Sequence, residues 1–379
     1  MSTAANHVTN SPLVERIADA VLYEGYILYP YRPSAVKNQQ RWNFGVVCPE
    51  SYAVSQRGTE SSTMRTECLV EVDSSTRIDV KVRFLHLLVR EVAEIIQHCQ
   101  SPIADCGHIT DHGTDHFRSV PSIEVNGKTL QTWQEAVERE VAIPQVTLGE
   151  AELPRRVPFS FHASRATERI PDEVSGTTSG LMVRTQHALN GEIEISATNV
   201  ALSTNSNDER ANRKSAIANR QLLRLSVVIR NLTDFPDSAN KSRDDALLHS
   251  FVSTHTILQV QDGAFVSLLD PPEEYSAAAV QCTNTSTYPV LVGADGDRNC
   301  VLSSPIILYD YPQIAPQSAG DLFDGTEIDE ILTLRIMTLT DEEKREMRSA
   351  DHFARQILER TESLPAEEMM KLHGVMKKV

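Results

Sequence analysis

Three histidines and two aspartates lie within nine residues of the chain, in the run HITDHGTDH. Imidazole and carboxylate groups are common protein ligands for zinc and nickel. On a helix, the three histidines would lie on one face at four-residue spacing, with the aspartates beside them. One hypothesis is therefore a zinc or nickel site, used by a metal-dependent enzyme or a metal-delivery factor. Its candidate ligands are His108, Asp111, His112, Asp115 and His116.

The residue types around these ligands favour a different interpretation. Glycine and threonine are poor helix formers, and they occupy Gly107, Thr110, Gly113 and Thr114. The run also lacks the glutamate that acts as general base in the zinc motif H-E-x-x-H. We therefore interpret it as an exposed polar insertion between a helix and the hairpin SIEVNGKTL, residues 122–130, and we predict no cofactor.

The other histidines and the nucleophile motifs give no catalytic centre. His86 continues the apolar face of its strand, which favours a hydrogen-bonded core residue over a ligand. His249 and His255 flank the extended-looking segment HSFVSTHTIL, and a structural role is favoured because no nucleophile or paired base can be assigned to them. The chain has no G-x-S-x-G elbow, Walker A loop or G-x-G-x-x-G fingerprint. We predict no catalytic residues, so the sequence leans towards a protein that is not an enzyme.

Composition narrows the class of protein further. The chain of 379 residues has 36 basic and 52 acidic residues, and its net charge of −16 disfavours nucleic-acid binding. The six cysteines form no C-x-x-C pair, which argues against a zinc ribbon or an iron–sulfur cluster. The polar N-terminus and the lack of a long apolar run predict an acidic cytoplasmic protein that does not insert into a membrane.

Two stretches are rich in residues that dominate binding hot spots, which are tyrosine, tryptophan and arginine. The first is YEGYILYPYRPSAVKNQQRW, residues 23–42, which contains all three residue types. The second is SSPIILYDYPQIAP, residues 303–316, which contributes two tyrosines and continues into the acidic GDLFDGTEIDE. The alternative is that the tyrosines are half-buried core residues and that the acidic residues cap a helix. The predicted partner-binding residues are Tyr26, Tyr29, Tyr31, Arg32, Lys37, Arg41, Trp42, Tyr309, Asp310, Tyr311, Asp321 and Asp324.

Hydrophobic periodicity predicts the elements that must position these residues. Apolar residues at four-residue spacing predict an amphipathic helix near Pro12. The alternation in RIDVKVRF, residues 77–84, predicts a half-buried strand, with TECLVEV, residues 66–72, as its hairpin partner. The segment that follows, residues 85–99, fits a helix.

Turn and capping signals divide the rest of the chain. Asn126-Gly127, Asn190-Gly191 and Asp262-Gly263 each predict a tight hairpin turn, because these dipeptides accept positive φ. Thr326 with Asp329, and Thr340 with Glu343, match the capping pattern at the start of a helix.

The predicted fold class is α+β and β-rich, with a central antiparallel sandwich or open barrel, an N-terminal α/β portion and C-terminal helices. We predict three parts: an N-terminal α+β domain over residues 1–145, an antiparallel β-sandwich-like domain over 146–316, and a C-terminal helical segment over 317–379 that packs on both.

Several segments between about residue 20 and residue 345 resemble a known family. They are LYEGYILYPYR, RWNFG, TECLVE, TWQEAVERE, and SSPIILYDYPQIAP with GDLFDGTEIDEILTLRIMTLTDEEK. The family is an uncharacterised one associated with operons of the high-affinity uptake NiFe hydrogenases of actinobacteria and some proteobacteria. It brings no catalytic residues, and it does not include the HITDHGTDH run.

The resemblance implies a bacterial accessory protein for the assembly, maturation or stabilisation of a metalloenzyme. Its expected partners are hydrogenase subunits or maturation factors, bound by protein–protein interaction. Two alternatives stay open at this point: the metal-dependent function described above, and a β-sandwich that binds a carbohydrate or another ligand in an aromatic groove.

Overall fold

A computed structural model gives the fold of the chain. It describes residues 11–22, 43–95, 108–110, 116–126, 128–148, 154–172, 176–201, 221–313, 339–350 and 352–363.

Short helices and many strands make up this part of the chain. The helices are α1 (Ser11–Leu22), α2 (Glu50–Ser55), α3 (Arg243–Leu247), α4 (Ser276–Ala279), α5 (Asp341–Ala350) and α6 (His352–Ser363). The strands are β1 (Thr63–Val72), β2 (Arg77–Ile95), β3 (His108–Thr110), β4 (His116–Val120), β5 (Ser122–Val125), β6 (Lys128–Gln131), β7 (Trp133–Thr147), β8 (Arg155–Phe161), β9 (Ser164–Pro171), β10 (Thr178–Gln186), β11 (Leu189–Asn199), β12 (Gln221–Asn231), β13 (Val252–Gln261), β14 (Ala264–Val266), β15 (Tyr288–Leu291) and β16 (Cys300–Ser304).

The strands form two large antiparallel sheets and one hairpin. The smaller of the large sheets has five strands in the order β14-β1-β12-β11-β8. The larger has nine strands and runs β15-β16-β13-β2-β10-β9, with β7 and β4 also paired to β2, and β3 paired to β4. Strands β5 and β6 pair with each other. The fold is thus a β-rich α+β fold with antiparallel sheets, as the sequence predicts.

The two large sheets share one hydrophobic core. Val70 and Leu225 of the five-stranded sheet belong to the same buried cluster as Val80, Val82 and Leu258 of the nine-stranded sheet. Each of these side chains is at most 1% exposed, and its burial contributes about 2 kcal/mol to the free energy of folding. Face-to-face packing of this kind makes the centre of the molecule a sandwich.

Strand β2 is the longest strand and the main organiser of the larger sheet. It pairs with β13 and then β10 along one side, and with β7 and then β4 along the other. The predicted alternation over residues 77–84 is confirmed, since Ile78, Val80, Val82 and Phe84 are buried.

The helix predicted over residues 85–99 is wrong for its described part, because β2 continues to Ile95. Leu85 and Leu87 are buried on one face, and His86 and Leu88 are buried on the other. A strand covered on both faces loses its period of two, so its sequence resembles that of a buried helix.

The predicted hairpin between residues 66–72 and 77–84 is also wrong. Strand β1 pairs with β12 and β14, whereas β2 lies in the other sheet. The connection between them is held by Thr76, whose hydroxyl accepts from the Asp73 amide at 2.8 Å and donates to the Asp262 carbonyl at 2.7 Å. The chain therefore crosses from one sheet to the other at this turn.

The three dipeptide turns have three different outcomes. Asn126 has φ +53° and joins β5 to β6, so this hairpin is confirmed. Asp262 has φ +56° in a tight turn, but β13 and β14 belong to different sheets and form no hairpin. Asn190-Gly191 lies inside β11, so the turn predicted there is wrong. A Cβ atom at Gly191 would lie 2.4 Å from the Phe159 ring, and this close packing explains the glycine.

Two predictions for the chain ends are confirmed, namely the helix near Pro12 and the capping pair of Thr340 and Glu343. Helix α1 packs Val14, Ile17 and Val21 against the larger sheet. At the start of α5, the Glu343 amide donates to the Thr340 hydroxyl at 3.2 Å, and the Thr340 amide donates to the Glu343 carboxylate at 2.7 Å. None of the described helices has the length and apolar character needed to span a membrane.

Both large sheets contain strands from before and after residue 145, the predicted domain boundary. The boundary itself falls within β7, which pairs with β2 along most of its length. The capping pair at Thr326 lies outside the described residues.

Candidate functional site

The segment that follows β16 folds back over the outer face of the larger sheet. The Ser304 hydroxyl donates to the Ile306 carbonyl at 2.7 Å and fixes the first turn. Ile306 and Leu308 pack against the cluster formed by α1, β15 and β16. Since successive side chains of an extended segment point in opposite directions, Ile307 and Tyr309 face solvent and are 72% and 84% exposed.

Asp310 clamps the end of this segment to two other parts of the chain. Its carboxylate accepts a hydrogen bond from the Leu291 amide at 2.7 Å and another from the Ser267 hydroxyl. The Ser267 hydroxyl oxygen in turn accepts from the amides of Leu269 and Asp270. One carboxylate thus joins residues 267–270, strand β15 and the 305–311 segment.

Tyr311 completes the attachment. Its amide donates to the Leu291 carbonyl at 2.8 Å, and its side chain packs against the main core. Burial, followed by the neighbouring Asp310 carboxylate, raises the pKa of its phenol. The hydroxyl is therefore protonated at neutral pH.

The clamp presents a small apolar surface that we call the Ile307–Tyr309 surface. Two large side chains are exposed on a backbone that is fixed at both ends, by Ser304 and by Asp310. Leu269, beside the Ser267 end of the clamp, is also 56% exposed. A rigid backbone reduces the entropy lost when such side chains bind, which is a property of binding hot spots.

The predicted partner-binding residues fall into three groups. Tyr309 is exposed, whereas Asp310 and Tyr311 have structural contacts that hold the segment in place. The residues of the 23–42 stretch and the acidic residues Asp321 and Asp324 lie outside the described residues. Their role in partner binding stays a prediction.

The HITDHGTDH run forms a hairpin where the structure describes it. Strands β3 and β4 pair with Thr110 opposite His116 and with His108 opposite Arg118. The helical arrangement of the three histidines is therefore wrong, because His108 and His116 lie in strands. Asp111, His112 and Asp115 lie outside the described residues. Within the described ranges, no three His, Cys, Asp or Glu side chains are grouped to hold a metal ion.

His86 is the hydrogen-bonded core residue that the sequence predicts. Its Nε2 atom lies 3.0 Å from the His187 carbonyl oxygen, and Arg139 donates to its Nδ1 atom at 3.4 Å. Burial, with the nearby Arg139 guanidinium, lowers the pKa of His86 to about 4. The ring is therefore neutral at pH 7, with its proton on Nε2.

His255 and His249 have structural contacts of different kinds. His255 is fully buried in β13, its Nδ1 donates to the Ser253 carbonyl at 2.6 Å, and burial lowers its pKa to about 4. His249 lies beyond α3, where its ring stacks on His187 at a centroid distance of 4.3 Å. Its Nδ1 atom is 3.0 Å from the Asp245 carbonyl oxygen. These contacts agree with the structural roles favoured by the sequence.

Sequence reasoning missed Ile307 and Ser267. Ile307 stands in the run PIILY, where four consecutive apolar residues give no indication of which side chains are buried. Ser267 donates a hydrogen bond to Asp310, which is 43 positions away, and no local sequence pattern predicts such a contact.

Comparison with known proteins adds no family to this picture. No protein-family model matches the chain, and no curated protein matches its sequence.

Proposed function

We propose that this protein is a non-catalytic accessory protein that binds a partner protein through the Ile307–Tyr309 surface. The supporting observation is the exposure of two large apolar side chains on a clamped backbone. Covering a Tyr or Ile side chain in an interface contributes roughly 2 kcal/mol of binding free energy per residue. Protein–protein contact is the ordinary use of such a surface.

The sequence resemblance supports one class of partner. It favours a cytoplasmic role in the assembly, maturation or stabilisation of a NiFe hydrogenase, with hydrogenase subunits or maturation factors as the bound proteins. Under this proposal the metal chemistry belongs to the partner, and the sandwich supplies a rigid binding surface.

The test is an affinity purification of the tagged full-length chain from its own host under hydrogen-consuming conditions. Proteins in the eluate are identified by mass spectrometry, and bound zinc and nickel are assayed in the same sample. Hydrogenase subunits or maturation factors should be recovered with the wild type and lost with the double variant Ile307→Ser/Tyr309→Ser.

The matched control is Val54→Ser, which removes an apolar side chain that is 73% exposed on α2. This variant should recover the partner as well as the wild type does. Equal recovery by all three proteins would show that the partner binds elsewhere. A partnerless protein with one metal ion per chain would overturn the proposal in favour of a metal site at residues 108–116.

A further inference from the structure

Strand β9, the last strand of the larger sheet, is accessible to solvent on both faces. Every residue from His162 to Arg169 is exposed, and within β9 only Ile170 is partly covered. Among the described residues β9 has one neighbouring strand, β10, to which it pairs from Ser164 to Pro171. Its outer edge therefore presents backbone donors and acceptors to solvent over eight residues, or roughly 26 Å.

The same part of the chain carries positive charge within an acidic protein. Residues 162–171 contain Arg165 and Arg169, and their one acidic residue, Glu168, is paired with Arg184. The whole chain, in contrast, has a net charge of −16. Charge of one sign concentrated at an open edge attracts a segment of the opposite sign.

The charges of β9 are separated between its two faces. Arg165, Thr167 and Arg169 alternate along one face, opposite Thr185, Val183 and Leu181 of β10. Glu168 lies on the other face, where its carboxylate accepts from Arg184 at 3.1 Å. One face of the open strand therefore carries two arginines four residues apart, and the guanidinium of Arg169 also lies 6.0 Å from the centre of the Phe117 ring.

We propose that β9 binds an acidic, extended segment of a partner protein as an additional strand at the edge of the larger sheet. The backbone of the segment would continue the sheet by hydrogen bonding to the open edge, as in other cases of strand addition. Acidic side chains four residues apart in the segment would lie on the face of Arg165 and Arg169. Directly opposite and diagonal residues of neighbouring strands are close enough for these ion pairs.

This site is separate from the Ile307–Tyr309 surface, which lies beside β15 at the other end of the sheet. The proposal therefore does not rest on the proposed function. Either surface can lose its ligand in an experiment without affecting the other.

The probe is a fluorescein-labelled peptide of ten residues, built from threonine and valine with two aspartates four residues apart. Its binding to the full-length protein is measured by fluorescence anisotropy at low ionic strength. The wild type should bind this peptide, and Arg165→Glu/Arg169→Glu should weaken binding by at least about tenfold, because two attractions become repulsions. Both arginines are exposed, so circular dichroism should show a folded variant.

The matched control is Arg57→Glu/Lys241→Glu, which makes the same change of charge at two exposed positions away from β9. This variant should bind the peptide within about twofold of the wild type. Equal weakening by both double variants would overturn the proposal, because net charge alone would then govern binding.

A second peptide keeps the two aspartates and replaces two of the central residues by proline, which cannot form strand hydrogen bonds. It should not bind measurably. Equal binding of the proline peptide, or of a single-stranded oligonucleotide of the same charge, would overturn strand addition in favour of non-specific attraction. Hydrogen exchange gives an independent measurement: the intact peptide should slow exchange in residues 164–171, and unchanged exchange there would contradict the proposal.

Discussion

The larger sheet ends in two edge strands, which differ in whether another segment of the chain covers their outer edge. At one end is β15, which is covered by the segment that carries Asp310 and Tyr311. The Leu291 amide points away from the sheet and donates to the Asp310 carboxylate, and the Leu291 carbonyl accepts from the Tyr311 amide. Pro289 is two residues earlier and therefore has its nitrogen on the same edge, where it has no hydrogen to donate.

At the other end, no segment among the described residues covers β9, and residues 164–170 contain no proline. Its protection against aggregation comes from charge, since Arg165, Glu168 and Arg169 stand along the strand. The difference shows that an edge can be closed by specific hydrogen bonds or kept soluble by charge. Only the second solution leaves the backbone accessible to a partner.

The largest expected effect concerns pH and the half of the sheet next to β15. His255, in β13, has a pKa of about 4 in the folded state, below the ordinary value of 6.5, because it is buried. The unfolded chain therefore binds a proton more readily between these values, so stability is full above pH 6.5 and falls as the pH drops towards 4. We expect His255 alone to remove about 3 kcal/mol of unfolding free energy over this range.

Urea unfolding at several pH values between 7 and 4.5 measures this loss. His255→Gln should reduce the dependence of the unfolding free energy on pH and leave the part caused by the buried His86, whatever its effect at pH 7. The control His162→Gln removes an exposed imidazole between β8 and β9 and should leave the dependence unchanged. If His255→Gln retains the full pH dependence, the neutral buried imidazole is not its cause.

The second prediction concerns the covered edge of β15 and the Asp310 hydrogen bonds that hold the covering segment there. Asp310→Ala removes the acceptor of the Leu291 amide and the Ser267 hydroxyl, and it leaves a buried N–H group without a partner. We expect a loss of about 2 kcal/mol in the free energy of unfolding, measured in urea. The control Asp270→Ala replaces an exposed carboxylate in the adjacent loop and should cost less than about 0.5 kcal/mol. Equal costs for both variants would mean that the clamp contributes nothing to stability.

Local sequence patterns predict the parts of this fold whose burial is one-sided. The strand over residues 77–84 and helix α1 show clear periodicity because one face of each meets the core. The pattern fails over residues 85–95, where both faces are covered. The pattern also cannot distinguish a glycine that forms a turn from Gly191. At that position a side chain would collide with the ring of Phe159, which is 32 residues earlier in the chain.

The candidate site shows the same limit at the level of single residues. Composition is enough to select Tyr309 as a candidate binding residue, since tyrosine is enriched at interfaces. The role of Asp310 depends on Leu291 and Ser267, which are 19 and 43 positions away. Pairing between distant strands is likewise not encoded locally, so the sequence pattern predicts the wrong partner for β1.

The third prediction tests whether the outer edge of β9 is open. Neighbouring residues of a strand direct their N–H groups to opposite edges, so of Ala166 and Thr167 one faces β10 and the other faces solvent. Ala166→Pro and Thr167→Pro should therefore differ by about 1.5 kcal/mol in unfolding free energy, because only one of them removes a ladder hydrogen bond. Equal losses would indicate that both edges of β9 are already paired.

The smallest expected effect separates binding from stability at the closed edge. Leu308 packs against the α1 cluster, whereas Tyr309 projects into solvent. We expect Leu308→Ser to lower the unfolding free energy by about 1 kcal/mol, and Tyr309→Ser to change it by less than about 0.5 kcal/mol. Thermal unfolding of the two variants makes the comparison. A large loss from Tyr309→Ser would assign the tyrosine to the fold. A stability-neutral variant that fails to recover the partner would assign it to binding.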